Sequence, residues 1–150
     1  MSNRENGFVK MYTIDFIETE NLEGIIPFLE LLNPKIGKVT LKERLNEMIA
    51  QNYQCIGVYD GGKLIGISGI WVLTKYYIGK HIEPDNVCIL PEYQGKGIGK
   101  KLSDWIFKYA ESIGCEAAEL NCYLGNVEGH KFWEKQGYEK VAYHFQKNIN

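Results

Sequence analysis

The residues best suited to chemistry lie between positions 87 and 102. An apolar run of Val87, Cys88, Ile89 and Leu90 meets Pro91, and then Gln94, Gly95, Lys96, Gly97, Ile98, Gly99, Lys100 and Lys101 open a helical pattern. Glycines let backbone N–H groups come close to a ligand. The helix they open points its unpaired N–H groups and the positive end of its dipole at bound anions. This run therefore describes a cradle for a diphosphate.

Spacing narrows which diphosphate. A P-loop requires Gly, four residues, Gly, Lys and then Ser or Thr, whereas Gly95 and Gly99 have three residues between them and Lys100 is followed by Lys101, with no hydroxyl for a magnesium ion. A dinucleotide fingerprint would place Gly or Ala where Lys100 stands and would open a βαβ unit near the start of its domain. What remains is Gln-x-x-Gly-x-Gly after a strand ending in Leu-Pro-Glu-Tyr, and this resembles the acetyl-coenzyme A signature of the GNAT superfamily of N-acetyltransferases. Downstream, Asn126 is followed by His130, Lys131, Phe132, Trp133, Glu134, Lys135, Gln136, Gly137 and Tyr138. That run is similar to the family's late motif: Asn, a short helix ending in an aromatic pair with Glu-Lys, then Gly and an aromatic.

The resemblance implies direct attack of an amine nitrogen on the acetyl carbonyl of acetyl-coenzyme A. It implies a GNAT fold of the α/β (α+β) class, a mixed central sheet in which two parallel strands splay apart and admit the cofactor. The pyrophosphate would sit on residues 94–100, that is on Gln94, Gly95, Lys96, Gly97, Ile98, Gly99 and Lys100. The pantetheine arm would pair with strand backbone at Val87, Cys88 and Ile89, where a backbone N–H also serves the developing oxyanion. Asn126 corresponds to the asparagine that contacts the arm, and an asparagine after Gly125 serves equally as a helix N-cap. Glu83 stands where several members carry a catalytic glutamate, and Asp85 is the second candidate base. Strand alternation puts Glu83, Asp85, Val87 and Ile89 on one face, although Pro84 between the two acids signals an irregular strand.

One position departs from the pattern. Where the family commonly has a tyrosine that protonates the leaving thiolate, this chain has Trp133, whose indole N–H donates a hydrogen bond but is no proton source near neutral pH. The residues leave the acid to water, Tyr123 or Tyr138. They also leave open an alternative to the enzyme, a coenzyme A-binding sensor or interaction module with little or no turnover. Dimers are frequent in the family, so the resemblance allows a homodimer. The acceptor is expected to contact the first two helices and residues 74–83, where Glu30, Glu43, Glu47, Tyr76 and Tyr77 are available.

Bulk properties set the frame. The chain has 150 residues, 45% of them hydrophobic, and a formal net charge of −2. That fits one domain spanning 1–150, and it argues against a general nucleic-acid binder. The four cysteines contain no Cys-x-x-Cys, which fits free thiols in a reducing cytoplasm. His81, His130 and His144 have no paired ligand spacing, so no metal is expected. No apolar span of about 18 residues would cross a membrane.

These motifs need elements to hold them. A strand is expected over 11–17, with a frayed end before it. A helix capped by Asn21 should run through Leu32 with Ile25, Phe28, Leu29 and Leu32 inward, and a second, capped by Thr40, should bury Leu41, Leu45, Met48 and Ile49. Strands over 54–59 and 63–73 flank the turn signal Asp60-Gly61-Gly62, and a third covers 81–90. A helix over 97–113, a strand over 117–123, a helix over 126–136 and a final strand over 138–147 complete the order β-α-α-β-β-β-α-β-α-β.

Overall fold

The computed structural model describes residues 11–150 and, before them, the backbone of two short strands, β1 (Arg4–Glu5) and β2 (Phe8–Val9), which pair antiparallel. The frayed start expected for residues 1–10 lies otherwise outside the described residues. The main sheet contains β3 (Thr13–Phe16), β4 (Gln54–Asp60), β5 (Lys63–Lys75), β6 (Gly79–Ile89) and β7 (Ala117–Ala118), in that spatial order. Three of its pairings are antiparallel and β6–β7 is parallel, so the sheet is mixed as expected. The two-residue turn between β4 and β5 also holds, with Asp60 opposite Lys63 and Gly61 at φ +60°.

Helices cover both faces. On one, a 3-10 turn (Thr19–Ile25) runs into α1 (Ile26–Leu32), and α2 (Lys38–Ala50) follows. Ile25, Ile26, Phe28, Leu41 and Leu45 from this layer pack with Tyr53, Cys55 and Ile67 of the sheet side. On the other face α3 (Ile98–Ser112) sets Ile98, Leu102 and Ile106 against Ile56, Val58, Ile65, Ile70 and Ile82. The last helix is α4 (Val127–Lys135). Among the described residues no helix is long and apolar enough to cross a membrane.

Five local expectations are corrected. The first helical segment starts before Asn21, as a 3-10 turn without a side-chain cap, and Pro27 then stands in the first turn of α1, where no N–H is needed. Leu32 ends that helix largely exposed. The cap of α2 is the backbone of Gly37, and Thr40 falls inside the first turn. The strand expected over 117–123 pairs with β6 only at Ala117 and Ala118, with one further bond from Glu119 N to Ile82 O.

The fifth correction concerns the final strand over 138–147, which joins no ladder among the described residues. Tyr138 N bonds to Trp133 O, and beyond it residues 139–150 are exposed and make no backbone hydrogen bond among the described residues. Alternation predicts which residues would share a strand face. It carries no information on whether an edge lies within reach.

A bulge in β6 governs the site. Gly69 faces Asp85 while Ile67 faces Cys88, so the register slips between them, and Asn86 lies in the left-handed region at φ +55°. The alternation reverses there. Ile82 packs on the α3 side, yet Val87 and Ile89, which have the opposite parity, pack on that same side, while Cys88 packs on the α1–α2 side. Glu83 and Asp85 therefore do not share a face with Val87 and Ile89, contrary to the simple period of two.

Gly69 makes room for the side chain that holds the bulge. Tyr53 Oη donates to Asn86 Oδ1 at 3.1 Å, and its ring lies over Gly69. A Cβ on Gly69 would overlap that hydroxyl and the edge of the ring. Gly69→Ala is expected to displace Tyr53 and cost about 1–3 kcal/mol, read as a lower urea midpoint with an unchanged slope.

Candidate active site

The glycine run forms a bed of donors. After a short 3-10 turn (Pro91–Tyr93), Gly95 and Gly97 take φ +75° and +77°, conformations that cost a side-chain-bearing residue about 1–2 kcal/mol. The chain then enters α3. Tyr93 N and Gln94 N bond to Leu90 O and Pro91 O, and Lys101 N bonds to Gly97 O. Between them the six N–H groups of Gly95, Lys96, Gly97, Ile98, Gly99 and Lys100 have no backbone acceptor among the described residues. Such a row at a helix N-terminus suits a phosphate or pyrophosphate.

The lysines around it are already engaged. Lys96 lies over the Tyr93 ring at 5.3 Å, Lys101 over Tyr12 at 5.7 Å, and Lys100 pairs with Asp104 at 2.7 Å. The Gln94 side chain turns inward and donates from Nε2 to Ile89 O at 3.0 Å. Gln94 thus ties the loop to the end of β6. Gly99 packs against α4, since a Cβ there would lie 3.2 Å from the Phe132 ring.

Next to this bed, β6 keeps one edge open. Its far edge is bonded to β5 along its length, whereas on the β7 side the described bonds are the ladder at His81 and Ile82, Glu116 N to Lys80 O and Glu119 N to Ile82 O. From Glu83 to Val87 the backbone on that side has no strand partner among the described residues and can meet an added strand, while Ile89 O is taken by Gln94 Nε2. Val87, Cys88 and Ile89 lie at the end of this free edge nearest the glycine loop. The Cys88 thiol is pushed up by burial, and Cys55 is pushed up to about 12 for the same reason, so neither offers a thiolate nucleophile near neutral pH.

Where the strands part, a polar cluster gathers. Register continues His81 opposite Ala117, which places Glu83 beside Glu119. The fully buried imidazole of His81 has Nδ1 3.3 Å from Gly79 O and Nε2 3.3 Å from Glu83 Oε1 and 3.7 Å from Glu119 Oε1. Lys75 Nζ approaches Glu83 at 3.8 Å, and Tyr77 Oη donates to Glu119 at 2.8 Å, a bond that raises the Tyr77 phenol. Ligand-type atoms of His81, Glu83 and Glu119 lie within 4.8 Å of one another. A small cavity of about 110 Å³ opens alongside, lined by Trp71, Glu83, Pro84, Asp85, Leu120 and Asn121.

The two candidate acids differ in freedom. Asp85 accepts from Trp71 Nε1 at 2.9 Å through Oδ2 and from Asn86 N at 2.9 Å through Oδ1, so both oxygens serve the bulge. Glu83 is held loosely through one oxygen. Sequence reasoning missed Glu119 and Trp71, whereas His81 opens the alternating series of Glu83 and Asp85, although the spacing of the histidines gave it no role at the site. Only the parallel register brings Glu119 to Glu83.

Asn126 acts as the N-cap of α4, its Oδ1 accepting from Gly129 N at 3.0 Å. Its amide nitrogen has no partner among the described hydrogen bonds. Trp133 is half-buried, edge-on to Phe132 at 4.8 Å and to Tyr138 at 5.5 Å. Burial raises the Tyr138 phenol and encloses its hydroxyl, while Tyr123 is exposed. Burial thus leaves Tyr138 a poor proton donor.

Comparison with known proteins bears on this geometry. Residues 17–138 match the model of the acetyltransferase (GNAT) family. An uncharacterized N-acetyltransferase of Oceanobacillus iheyensis is 26% identical over 143 residues, covering 89% of this chain and 82% of that protein. An aminoalkylphosphonate N-acetyltransferase of Salmonella typhimurium is 29% identical over 89 residues, and that match spans 59% of this chain and only 58% of the relative's length. The structure of an aminoglycoside N-acetyltransferase in complex with CoA superposes with a TM-score of 0.79 at 16% identity, covering 93% of this chain and 96% of that one. That likeness is one of fold.

The cap at Asn126 yields a separable expectation. Asn126→Ala should lower stability by about 0.5–2 kcal/mol in urea unfolding, and Asn126→Ser, which keeps a capping oxygen, should recover most of it.

Proposed function

We propose, from the premise that this chain belongs to the acetyltransferase (GNAT) family of N-acetyltransferases, that it moves the acetyl group of acetyl-coenzyme A directly to a primary amine of a small molecule or peptide. One observation carries the donor half. Six consecutive N–H groups, Gly95 to Lys100, have no backbone acceptor among the described residues and stand at the helix end beside the free edge of β6. They would hold the pyrophosphate, with Val87, Cys88 and Ile89 offering backbone to the pantetheine arm and an N–H to the developing oxyanion. The unpartnered amide nitrogen of Asn126 and the indole of Trp133 are further contacts for the cofactor in this reading.

The acceptor half rests on the carboxylates. An ammonium entering the cavity between Trp71 and Leu120 meets Glu83, and Glu119 stands across the parted strands, so a cationic amine is favoured. Glu83 is the proposed base, directly or through one water, because Asp85 is committed to Trp71 and Asn86. Water is the proposed acid for the leaving thiolate, given the enclosed hydroxyl of Tyr138 and the indole at Trp133. Aminoalkylphosphonates and aminoglycosides, the acceptors named for two similar proteins, are both primary-amine probes worth trying. The four cysteines are free thiols, which suits the reducing cytoplasm we assign.

The test is calorimetric titration with acetyl-coenzyme A, then thiol release across a panel of amines and peptides. Binding together with amine-dependent thiol release is expected. Binding without turnover above hydrolysis would replace the enzyme with a cofactor sensor, and no binding would end both readings. Glu83→Gln should lower kcat by about 10²–10⁴-fold with little change in cofactor affinity. Gly97→Val, which strains a φ of +77°, should weaken acetyl-coenzyme A binding about tenfold or more while leaving any residual kcat near wild type.

A further inference from the structure

The fold assembles His81, Glu83 and Glu119 into a cluster that histidine spacing does not announce. His81 and Glu83 are two residues apart on β6, ahead of the bulge, so they share a face of the strand. The parallel register brings Glu119 to them, and the bond from Glu119 N to Ile82 O at 3.0 Å pins it there. The imidazole is fully buried and the two carboxylates are mostly enclosed, with side chains 22% and 23% exposed. Nδ1 lies 3.3 Å from Gly79 O, a carbonyl that can only accept, so Nδ1 carries the proton of the neutral ring. Nε2 then aims a lone pair at Glu83 Oε1, 3.3 Å away, and at Glu119 Oε1, 3.7 Å away. Three electron-pair donors converge on one point.

We propose that His81 Nε2, Glu83 and Glu119 form a binding site for one divalent transition-metal ion of the zinc class, its remaining position facing the cavity that Glu83 lines with Trp71 and Asn121. Distances agree. With metal–nitrogen and metal–oxygen bonds of about 2.0–2.2 Å, the ligand atoms of a tetrahedral centre stand roughly 3.3–3.6 Å apart. The separations from Nε2 are 3.3 and 3.7 Å, and all three atoms lie within 4.8 Å of one another, so rotation of the glutamate side chains completes the triangle. Charge agrees as well. A proton on Nε2 can point at one of the two oxygens, whereas an ion among the three atoms satisfies all of them and cancels both carboxylate charges. The imidazole selects against magnesium and calcium, which take oxygen ligands.

The surrounding groups suit this role. Gly79 O orients the ring from behind, the kind of contact that fixes the tautomer of a metal-bound histidine. Tyr77 Oη donates to both Glu119 oxygens, at 2.8 and 3.0 Å, and so steadies that carboxylate. Lys75 Nζ, 3.8 Å from Glu83 Oε1, is the competing cation, and its half-exposed side chain can withdraw into water. Because Glu83 would be a ligand, a bound ion and an amine handing its proton to Glu83 exclude one another. That consequence rests on the function proposed above, whereas the site itself does not.

The untagged full chain, treated with a chelator and dialysed, is titrated with Co²⁺ and followed by visible absorption. A band that saturates at one equivalent, is displaced by Zn²⁺ and is unmoved by excess Mg²⁺ is expected. His130→Gln/His144→Gln leaves His81 as the single histidine of the chain and should keep the band. In that double variant Zn²⁺ should also shift the ¹⁵N resonance of His81 Nε2, a readout that does not depend on how any variant at the cluster folds. Glu119→Gln should weaken Co²⁺ binding at least about tenfold with an unchanged circular dichroism spectrum. Absence of a saturable band, its loss in the double variant, sulfur-to-metal charge transfer from the cysteines, an unmoved Nε2 resonance, or full Co²⁺ affinity in a folded Glu119→Gln would each overturn the site. All of these readouts are independent of acetyl transfer, so failure of the site and failure of the proposed activity are told apart.

Discussion

Everything at the site depends on β6 being bonded along one edge and released along the other. A strand inside a sheet has its N–H and C=O groups consumed on both sides, and a ligand could then reach only side chains. Here the parallel ladder with β7 stops after two residues and the chain diverges. Past that point β6 stays paired with β5 on both sides of the bulge, a long partner that keeps it from fraying, so its free backbone groups are rigidly presented. An open edge on a mobile segment would have lost much of its binding energy to ordering.

The bulge at Asn86 adds a division of labour. With strict alternation Glu83, Asp85, Val87 and Ile89 would line one face, and the acids would lie on the same side as α3 and the phosphate-type loop. Reversal of parity sends Val87 and Ile89 to the α3 side and leaves Glu83 and Asp85 on the α1–α2 side. Anionic groups that suit a cationic acceptor are thereby kept off the face that suits a polyanionic donor. The left-handed turn that does this is held from three directions, by Tyr53 on Asn86, by Trp71 on Asp85 and by the Asn86 N–H on Asp85. Strain of that kind persists only where its surroundings over-determine it.

How much of this was legible in the sequence follows from the range of the interactions. The glycine loop is local. Gly95, Gly97 and the start of α3 lie within a few residues, and backbone requirements at that range write themselves into residue type. The Asp60–Lys63 hairpin and the cap at Asn126 were readable for the same reason. The bulge left only one trace, Pro84, and the contact of Glu119 with His81 left none, because it is made by two segments whose parallel register no periodicity encodes. Trp71 and Tyr53 likewise read as ordinary strand aromatics until the sheet sets them beside Asp85 and Asn86.

The same distinction separates the proposed donor site from the proposed acceptor site. A pyrophosphate is matched by backbone donors, which every residue carries, so a site for it needs only a backbone shape, and glycine spacing is a direct record of that shape. An amine is matched by side chains placed by tertiary structure, and its identity is set by how far apart the carboxylates stand and what walls enclose them. In this chain those quantities are fixed by the splay between β6 and residues 119–123, the segment bonded to β6 at only one end. On the proposed function, selectivity for the acceptor follows from how that segment is supported. A change that adjusts its support can alter the amine chosen without touching one residue of the glycine loop.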